Sequence, residues 1–178
     1  DAVEISRNQG RIELENVSFS YTKGKEILHK VSLSTEKGKL LAIVGETGAG
    51  KTTIINLLMR FYYQNEGRIL LEGRDSREIK VSSQRKQFAM VLQDTWLFKG
   101  SVFENISYGK EDATMEEVVE AAKKAGVHHF ITTLNNGYDT IISEDGGNIS
   151  KGQKQLLTIA RAFLLDSPVL ILDEATSN

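Results

Sequence analysis

Hydrophobic and polar positions alternate over short stretches in the first half of the chain. In RIELENVSFSY the apolar side chains occupy every second position and then shift by one residue between Leu14 and Val17. This pattern predicts a half-buried strand that contains a bulge. Four more runs predict strands: EILHKVSLST, KLLAIVG, GRILLEG and FAMVLQ. KLLAIVG is continuously apolar up to Gly45, which is typical of a strand buried on both faces.

Helical periodicity replaces this alternation in three places. It follows the glycine-rich segment GETGAGKTT, at Ile54, Leu57, Leu58 and Phe61. It returns from Asp94 to about Phe130, where Thr114 and Glu117 have the spacing of a capping box. A last helix is predicted from Ser150 to a stop before Pro168, with an apolar stripe at Leu156, Ile159, Ala160, Phe163 and Leu164. The run VLILDE after it predicts a buried strand.

The order of these elements predicts the architecture. Strands come first, and an alternating α/β core interrupted by a helical block follows, which indicates an α/β fold with a parallel sheet and two additions. Residues 1–10 are polar and aperiodic and are interpreted as a linker. The β addition is placed at about 11–40 and the helical addition at about 95–155.

Composition narrows the function classes without choosing one. The 178 residues have 40% hydrophobic and 26% charged side chains, which is ordinary for a globular protein. The net charge of −2 gives no global basic field for nucleic acid. The absence of cysteine excludes disulfides, thiolate catalysis and cysteine metal sites. No apolar run approaches the roughly 20 residues that cross a bilayer, so any membrane role requires a partner or another part of the polypeptide.

The segment GETGAGKT matches the phosphate-loop pattern G-x-x-x-x-G-K-[ST]. A predicted strand precedes it and a predicted helix follows, which argues against a simple glycine-rich surface turn. Glycines allow backbone N–H groups to surround a phosphate, the lysine reaches the β- and γ-phosphates, and the Thr52 hydroxyl is a Mg²⁺ ligand. The residues predicted to bind nucleotide are Gly45, Glu46, Thr47, Gly48, Ala49, Gly50, Lys51, Thr52 and Thr53.

Two carboxylates, Asp173 and Glu174, end the apolar run VLIL. A strand of an α/β sheet delivers such residues to the edge where ligands bind. With a phosphate loop upstream, Asp173 is predicted to hold Mg²⁺, usually through water, and Glu174 to act as general base toward the attacking water. The alternative is a strand that simply ends in two solvated acids.

A second anion site is predicted at SKGQKQ. Ser150 and Gln153 have capping-box spacing, and Gly152 leaves the turn open to a ligand. The N–H groups and the positive end of a helix dipole favour an anion there.

Together, GETGAGKT, SKGQ before KQLLTIARAFL, and VLILDEATS resemble the nucleotide-binding domain of ATP-binding cassette (ABC) transporters. The family's signature motif is usually Leu-Ser-Gly-Gly-Gln and here reads Ile149–Gln153, with Lys151 at a variable position. QDTWLFKGSVFENISYG resembles the exporter subclass, of multidrug or lipid type. The resemblance extends from about residue 11 to 178. It implies a P-loop NTPase core with a mostly parallel sheet, an N-terminal antiparallel β subdomain and an inserted α-helical subdomain.

The resemblance also implies ATP and Mg²⁺ as ligands and two partners, a second nucleotide-binding domain and the transporter's transmembrane domain, with no nucleic acid. In this family two domains pair head to tail, which implies that Ser150, Gly152 and Gln153 contact the ATP held by the phosphate loop of the other copy. The implied function is the ATP-hydrolysing motor of an exporter, at the cytoplasmic face of the cell membrane. Two alternatives are a soluble ABC-type ATPase of DNA maintenance or translation, and a non-hydrolysing regulatory half of a heterodimer. The presence of Glu174 argues against the non-hydrolysing regulatory half.

Single positions match the family as well. Tyr21 stands where an aromatic ring stacks on adenine, and Gln93 resembles the glutamine that contacts Mg²⁺ and the attacking water. Trp96 and Phe98 lie where exporters meet the membrane domain, although packing inside the helical block is favoured for both. Glu144 matches an exporter loop that touches the membrane domain.

The chain stops at Asn178, inside the family's D-loop, before a histidine expected some 30 residues further on. The family also places the next strand between the phosphate-loop strand and the strand of Asp173. We therefore expect a gap in the sheet with unpaired backbone groups. As given, the chain is expected to hydrolyse ATP poorly and to be less stable than one extended by some 60 residues.

Overall fold

The computed structural model describes residues 2–6, 9–92, 95–143 and 147–173, which fall into two compact units divided between Phe88 and Ala89. The first unit contains β1 (Ile12–Phe19), β2 (Leu28–Thr35), α1 (Lys51–Leu58), β3 (Glu66–Leu71), β4 (Arg74–Asp75) and α2 (Val81–Arg85). The chain then passes through β5 (Phe88–Val91), β6 (Gly100–Ser101), α3 (Val102–Ser107), α4 (Met115–Lys124), α5 (His128–Thr133), β7 (Ile141–Ile142), α6 (Lys151–Leu165) and β8 (Val169–Leu172). Two 3₁₀ turns lie at Ser76–Glu78 and Gly137–Asp139.

The first unit is built on a four-stranded antiparallel sheet with the order β2-β1-β3-β4. The predicted bulge is present, because the pairing of β1 with β2 shifts register between Leu14 and Val17, and Asn16 has a φ of 49°. The bulge keeps the apolar side chains on either side of it in the core, since a one-residue shift otherwise reverses the face. The buried residues of β1 are Ile12, Leu14, Val17 and Phe19.

Helix α1 follows the phosphate loop and buries Ile54, Leu57 and Leu58. The prediction that Phe61 continues this stripe is wrong. The helix ends at Leu58, Arg60 has a φ of 52°, and Phe61 is half exposed beneath the Arg85 guanidinium. The change of backbone direction at Arg60 moves the following residue off the helical face.

The prediction of a buried strand at KLLAIVG is also wrong. No strand is assigned between residues 36 and 50, and Leu40 and Val44 are 94% and 89% exposed. A strand is stabilised by hydrogen bonds to a neighbouring strand, and no segment in the described ranges pairs with this one.

The second unit has a helical core in which α6 packs against α3 and α4. Its centre consists of Val102, Ile106, Val118, Ala122, Ile131, Ile142, Leu157, Ala160 and Leu164. Capping boxes begin α3 at Ser101, α4 at Thr114 and α6 at Ser150, of which the last two were predicted. Helix α6 ends at Leu165 before Pro168, as predicted, but Phe163 remains 37% exposed.

Two further predictions for this unit need correction. Helix does not run from Asp94, because residues 95–99 are irregular and α3 starts only at Val102. Strand β8 pairs with β5, but its side chains are not buried, since Leu170 and Leu172 are 41% and 49% exposed. Among the helices of the described residues, none combines the length and apolar character that would cross a bilayer.

Candidate functional site

The phosphate loop has the backbone that its glycines predict. Gly48 and Gly50 have φ values of 84° and 93°, in the left-handed region that side chains disfavour. Gly50 is the N-cap of α1, and a Cβ atom there would lie 2.7 Å from Leu28 Cδ2. No side chain caps α1 at this end. The turn therefore requires glycine and leads directly into helix N–H groups without a side-chain competitor.

Lys51, the first residue of α1, lies over this loop. Its Nζ donates hydrogen bonds to the carbonyl oxygens of Gly45, at 2.7 Å, and Glu46, at 2.9 Å. The loop residues 45–49 are exposed. The ammonium group thus occupies the mouth of the loop, where phosphate oxygens would replace the two carbonyl oxygens as acceptors.

The two threonines after Lys51 differ in their surroundings. The Thr52 side chain is exposed, whereas Thr53 is 5% exposed and its hydroxyl accepts a hydrogen bond from the Tyr21 hydroxyl at 3.3 Å. Of the two hydroxyl groups, that of Thr52 therefore lies at the exposed position and that of Thr53 is buried against Tyr21.

Tyr21 is connected to α1 through its hydroxyl. Asn56 Nδ2 donates to the Tyr21 hydroxyl at 3.1 Å, and the Tyr21 ring makes edge contacts with Phe19 and Tyr62, each at 4.8 Å between centroids. The ring is still 42% exposed. Contacts with Asn56 and Tyr62 were not predicted, because nothing in the local sequence pattern pairs residues 35 to 41 positions apart.

The N-terminus of α6 has the predicted reciprocal cap. The Gln153 N–H donates to Ser150 Oγ at 3.2 Å, and the Ser150 N–H donates to Gln153 Oε1 at 2.9 Å. In this arrangement Ser150 Oγ is an acceptor, so its hydroxyl hydrogen is available to donate. A Cβ atom at Gly152 would meet no atom within 4 Å, which agrees with the predicted open approach.

The predicted acidic residues are only partly within the described ranges. Asp173 directly follows β8, and its backbone N–H donates to the Val91 carbonyl at 2.9 Å, so the pairing of β8 with β5 positions it. Gln93, Glu144 and Glu174 lie outside the described residues. Within the described part, no three His, Asp or Glu residues are grouped as metal ligands. The predicted set of hydroxyl, amide and carboxylate oxygens is nevertheless chemically suited to Mg²⁺.

Three aromatic rings of the second unit form what we call the aromatic surface, made of Trp96, Phe98 and Tyr108. Their centroids lie 5.5 to 5.9 Å apart. Trp96 is 55% and Tyr108 54% exposed, so the favoured interpretation of Trp96 as a core residue is wrong. Leu97 between them is the buried residue, at 2% exposure. Phe98, which follows Leu97, is partly buried, so the two aromatic residues predicted to pack in the core differ in their exposure.

Comparison with known proteins agrees with these features. Residues 28–177 match the sequence profile of the family described as ABC transporter. The fatty acid ABC transporter ATP-binding/permease protein of Mycobacterium bovis is 53% identical over 175 residues, which is 98% of this chain and 28% of that protein. The putative multidrug export ATP-binding/permease protein YgaD of Bacillus subtilis is 49% identical over 178 residues, covering 99% of this chain and 31% of its own length.

Among solved structures, a bacterial Atm1-family ABC exporter with ATP bound superimposes with a TM-score of 0.94 at 42% sequence identity. The match covers 99% of this chain and 31% of that one. The fold class predicted from the sequence is confirmed by this likeness. The chain spans about 30% of the length of these relatives.

Proposed function

The chain belongs to the ABC transporter family, and from that premise we propose that it is the ATP-binding and ATP-hydrolysing motor domain of an exporter. The observation that carries the proposal is the phosphate loop, in which left-handed Gly48 and Gly50 lead into α1 beneath the Lys51 ammonium group. The exporter assignment is supported by relatives named as ATP-binding/permease proteins. No observation favours a soluble ATPase of DNA maintenance or translation.

The nucleotide is held by three kinds of contact. The N–H groups of residues 45–53 surround the phosphates, and Lys51 exchanges its bonds to Gly45 and Glu46 for bonds to the β- and γ-phosphates. Tyr21 presents its exposed ring to adenine, while its hydroxyl stays bound to Asn56 and Thr53. The bonds to α1 reduce the entropy lost when the ring becomes ordered against the base.

Hydrolysis needs a water molecule positioned in line with the γ-phosphate. Glu174 accepts a proton from that water as its oxygen forms a bond to phosphorus, and the bond to the ADP oxygen breaks. Thr52, Gln93 and Asp173 are the residues that would hold Mg²⁺, Asp173 through water. When bound, Mg²⁺ would neutralise charge on the phosphate oxygens.

The second anion site explains how ATP controls association. Ser150, Gly152 and Gln153 of one copy bind the γ-phosphate of the ATP on the other copy, through the N–H groups and the hydroxyl hydrogen of Ser150. A helix-terminus contact contributes about 0.3–1 kcal/mol, and about 2 when partly buried. These contacts with the γ-phosphate exist only in the closed pair. Hydrolysis removes the γ-phosphate contacts, and the pair then separates.

The membrane partner docks on the aromatic surface. Exposed Trp96 and Tyr108 offer contact area of the kind that interfaces use as anchors, and the segment resembles the region where exporters meet their membrane domain. The relatives combine ATP-binding and permease parts in one protein. We propose on this basis that the domain works at the cytoplasmic face of the membrane and that it does not act on nucleic acid.

Disulfide trapping in the full-length protein tests the head-to-tail pair. This chain contains no cysteine, so one cysteine is placed at Ser150 and the other at Thr47. Thr47 is preferred to Gly48, whose φ of 84° would strain any side chain. We expect crosslinking between copies to increase with ATP. In the matched control the cysteine at Ser150 is kept and the second cysteine is placed at exposed Lys99, and this pair should stay uncrosslinked. Absence of any ATP-dependent crosslink would refute the shared nucleotide.

Removing the Tyr21 ring tests the adenine contact. We expect Tyr21→Ala to weaken ATP binding about 5- to 150-fold, because a base–aromatic stack contributes about 1–3 kcal/mol. Tyr21→Phe keeps the stack and loses only the bonds to Asn56 and Thr53, so its effect is smaller. Titration with a fluorescent ATP analogue measures both variants. The control is Tyr63→Ala, which removes another exposed ring, 56% exposed, from the same unit; equal affinities of Tyr21→Ala and wild type would exclude stacking.

A further inference from the structure

The guanidinium of Arg161, on α6, joins three segments of the second unit. Nε donates to the Asn105 carbonyl at 2.8 Å, Nη1 to the Trp96 carbonyl at 3.3 Å, and Nη2 to Asn105 Oδ1 at 3.4 Å. The guanidinium carbon lies 5.3 Å from the centre of the Tyr108 ring. One side chain of α6 therefore contacts the segment of Trp96, the body of α3, and the residue that ends α3.

The partners of Arg161 are uncharged groups. Burial lowers the pKa of Arg161 from its ordinary value. Among the residues described, no carboxylate pairs with it, and its partners are carbonyl oxygens, an amide and a ring. A desolvated cation is costly unless its donors are satisfied. An apolar side chain would avoid that cost but would lose the bonds that join the segments.

Asn105 completes the junction. Its side chain is 1% exposed, and Nδ2 donates to the carbonyls of Phe98, at 3.0 Å, and Ser101, at 3.1 Å. Oδ1 accepts the Phe98 N–H at 3.2 Å as well as the Arg161 bond. The backbone that carries the aromatic surface is thus held at Trp96 by Arg161 directly and at Phe98 through Asn105. Because residues 95–99 form no regular element, these side-chain bonds determine its position.

We propose that Arg161 is a positioning residue, which fixes the aromatic surface to the helix whose N-terminus carries Ser150. Arg161 lies 11 residues after Ser150, so about 16 Å of continuous helix separates the two. A displacement of the aromatic surface is passed to the Ser150 end through a rigid element. The inference rests on the proposed function, in which the surface receives the membrane partner and Ser150 the ATP of the other copy.

This role predicts a separation between binding and turnover. The phosphate loop binds ATP without help from Arg161. Closure of the pair, in contrast, requires α6 to be held in a fixed position relative to the docked membrane partner. Losing Arg161 is therefore expected to lower kcat by about tenfold, a typical size for coupling between sites, with KM for ATP changed less than about twofold. A loss of general folding would instead lower the amount of active protein and the melting temperature.

The experiment compares Arg161→Met and Arg161→Lys in the full-length protein reconstituted in lipid nanodiscs. Methionine keeps the apolar stem and removes every donor, while lysine keeps the charge without the planar fork, so an intermediate kcat is expected. The matched control is Arg85→Met. Arg85 also donates to backbone carbonyls, of Met59 and Arg60, and lies 4.9 Å from the Phe61 ring centre, but in the first unit.

A double-mutant cycle with Trp96→Ala separates positioning from simple stability. If Arg161 acts through the aromatic surface, the double variant loses no more kcat than the more impaired single variant. The inference would be overturned if the kcat losses of the two single variants multiplied in the double variant. It would also be overturned if Arg85→Met lost as much kcat as Arg161→Met, or if both Arg161 variants kept the wild-type kcat. If Arg161→Met does not fold, the same cycle with Arg161→Lys decides. A wild-type protein without ATPase activity would refute the proposed function instead.

Discussion

Replacing Glu174 by glutamine in the full-length protein is expected to lower ATP turnover by about two to four orders of magnitude. Glutamine has nearly the same shape as glutamate but accepts no proton from the attacking water. The phosphate loop, Lys51 and Ser150 are unchanged, so ATP still binds and the pair still closes. We expect the variant to accumulate in the ATP-bound closed state, because only hydrolysis removes the contacts of Ser150 with the γ-phosphate.

Phosphate release measures the turnover, and the yield of the disulfide between positions 47 and 150 measures closure. The control is Glu120→Gln, which neutralises an exposed glutamate whose pKa is lowered by Lys123, on the surface of α4. It should hydrolyse ATP at the wild-type rate. Normal turnover in Glu174→Gln would remove this residue as the base. A wild-type protein that closes with ATP without hydrolysing it would favour the regulatory half of a heterodimer.

Replacing Lys51 by alanine is expected to lower kcat/KM for ATP by about 100-fold or more, the size of effect that follows removal of one preorganised donor from developing phosphate charge. The structure adds that the same ammonium group bonds the carbonyls of Gly45 and Glu46. Both carbonyls belong to the exposed loop, so losing these two hydrogen bonds has little effect on folding. The melting temperature without nucleotide should therefore stay near the wild-type value, while its increase with ATP is lost.

Steady-state ATPase kinetics and melting curves with and without ATP test this variant together. Lys39→Ala is the matched control, since Lys39 is an exposed lysine close to the same loop in sequence. It removes one positive charge without removing a phosphate contact. If Lys51→Ala and Lys39→Ala had the same kinetics as the wild type, the role of Lys51 would be excluded.

Local patterns predicted the features that depend on neighbouring residues. The bulge after Leu14, the caps at Thr114 and Ser150 and the end of α6 before Pro168 are all present, because each depends on bonds or sterics within a few positions. The phosphate loop belongs to the same class, since its glycine backbone and the lysine that covers it lie within seven residues. Two of the failures occurred where the outcome depends on residues distant in the sequence.

One such failure is the predicted strand at KLLAIVG, where Val44 is exposed, since an apolar run becomes a strand only beside another strand. The other is the predicted core packing of Trp96, because an aromatic residue in an irregular segment packs inward or outward according to its surroundings. The prediction of core packing followed from hydrophobicity alone. Hydrophobicity does not specify direction when no helix or strand imposes a period.

By itself the sequence determined the family and the antiparallel and helical additions to an α/β core, and it predicts the residues that meet the phosphates, because short motifs with local geometry carry all of these. The tertiary structure alone decided that Tyr21 is held by Asn56 and Tyr62, and that Arg161 joins α6 to the backbone of Trp96. Those contacts connect residues 35 to 65 positions apart. Only the path of the folded chain brings them together, and no spacing along the sequence encodes that path.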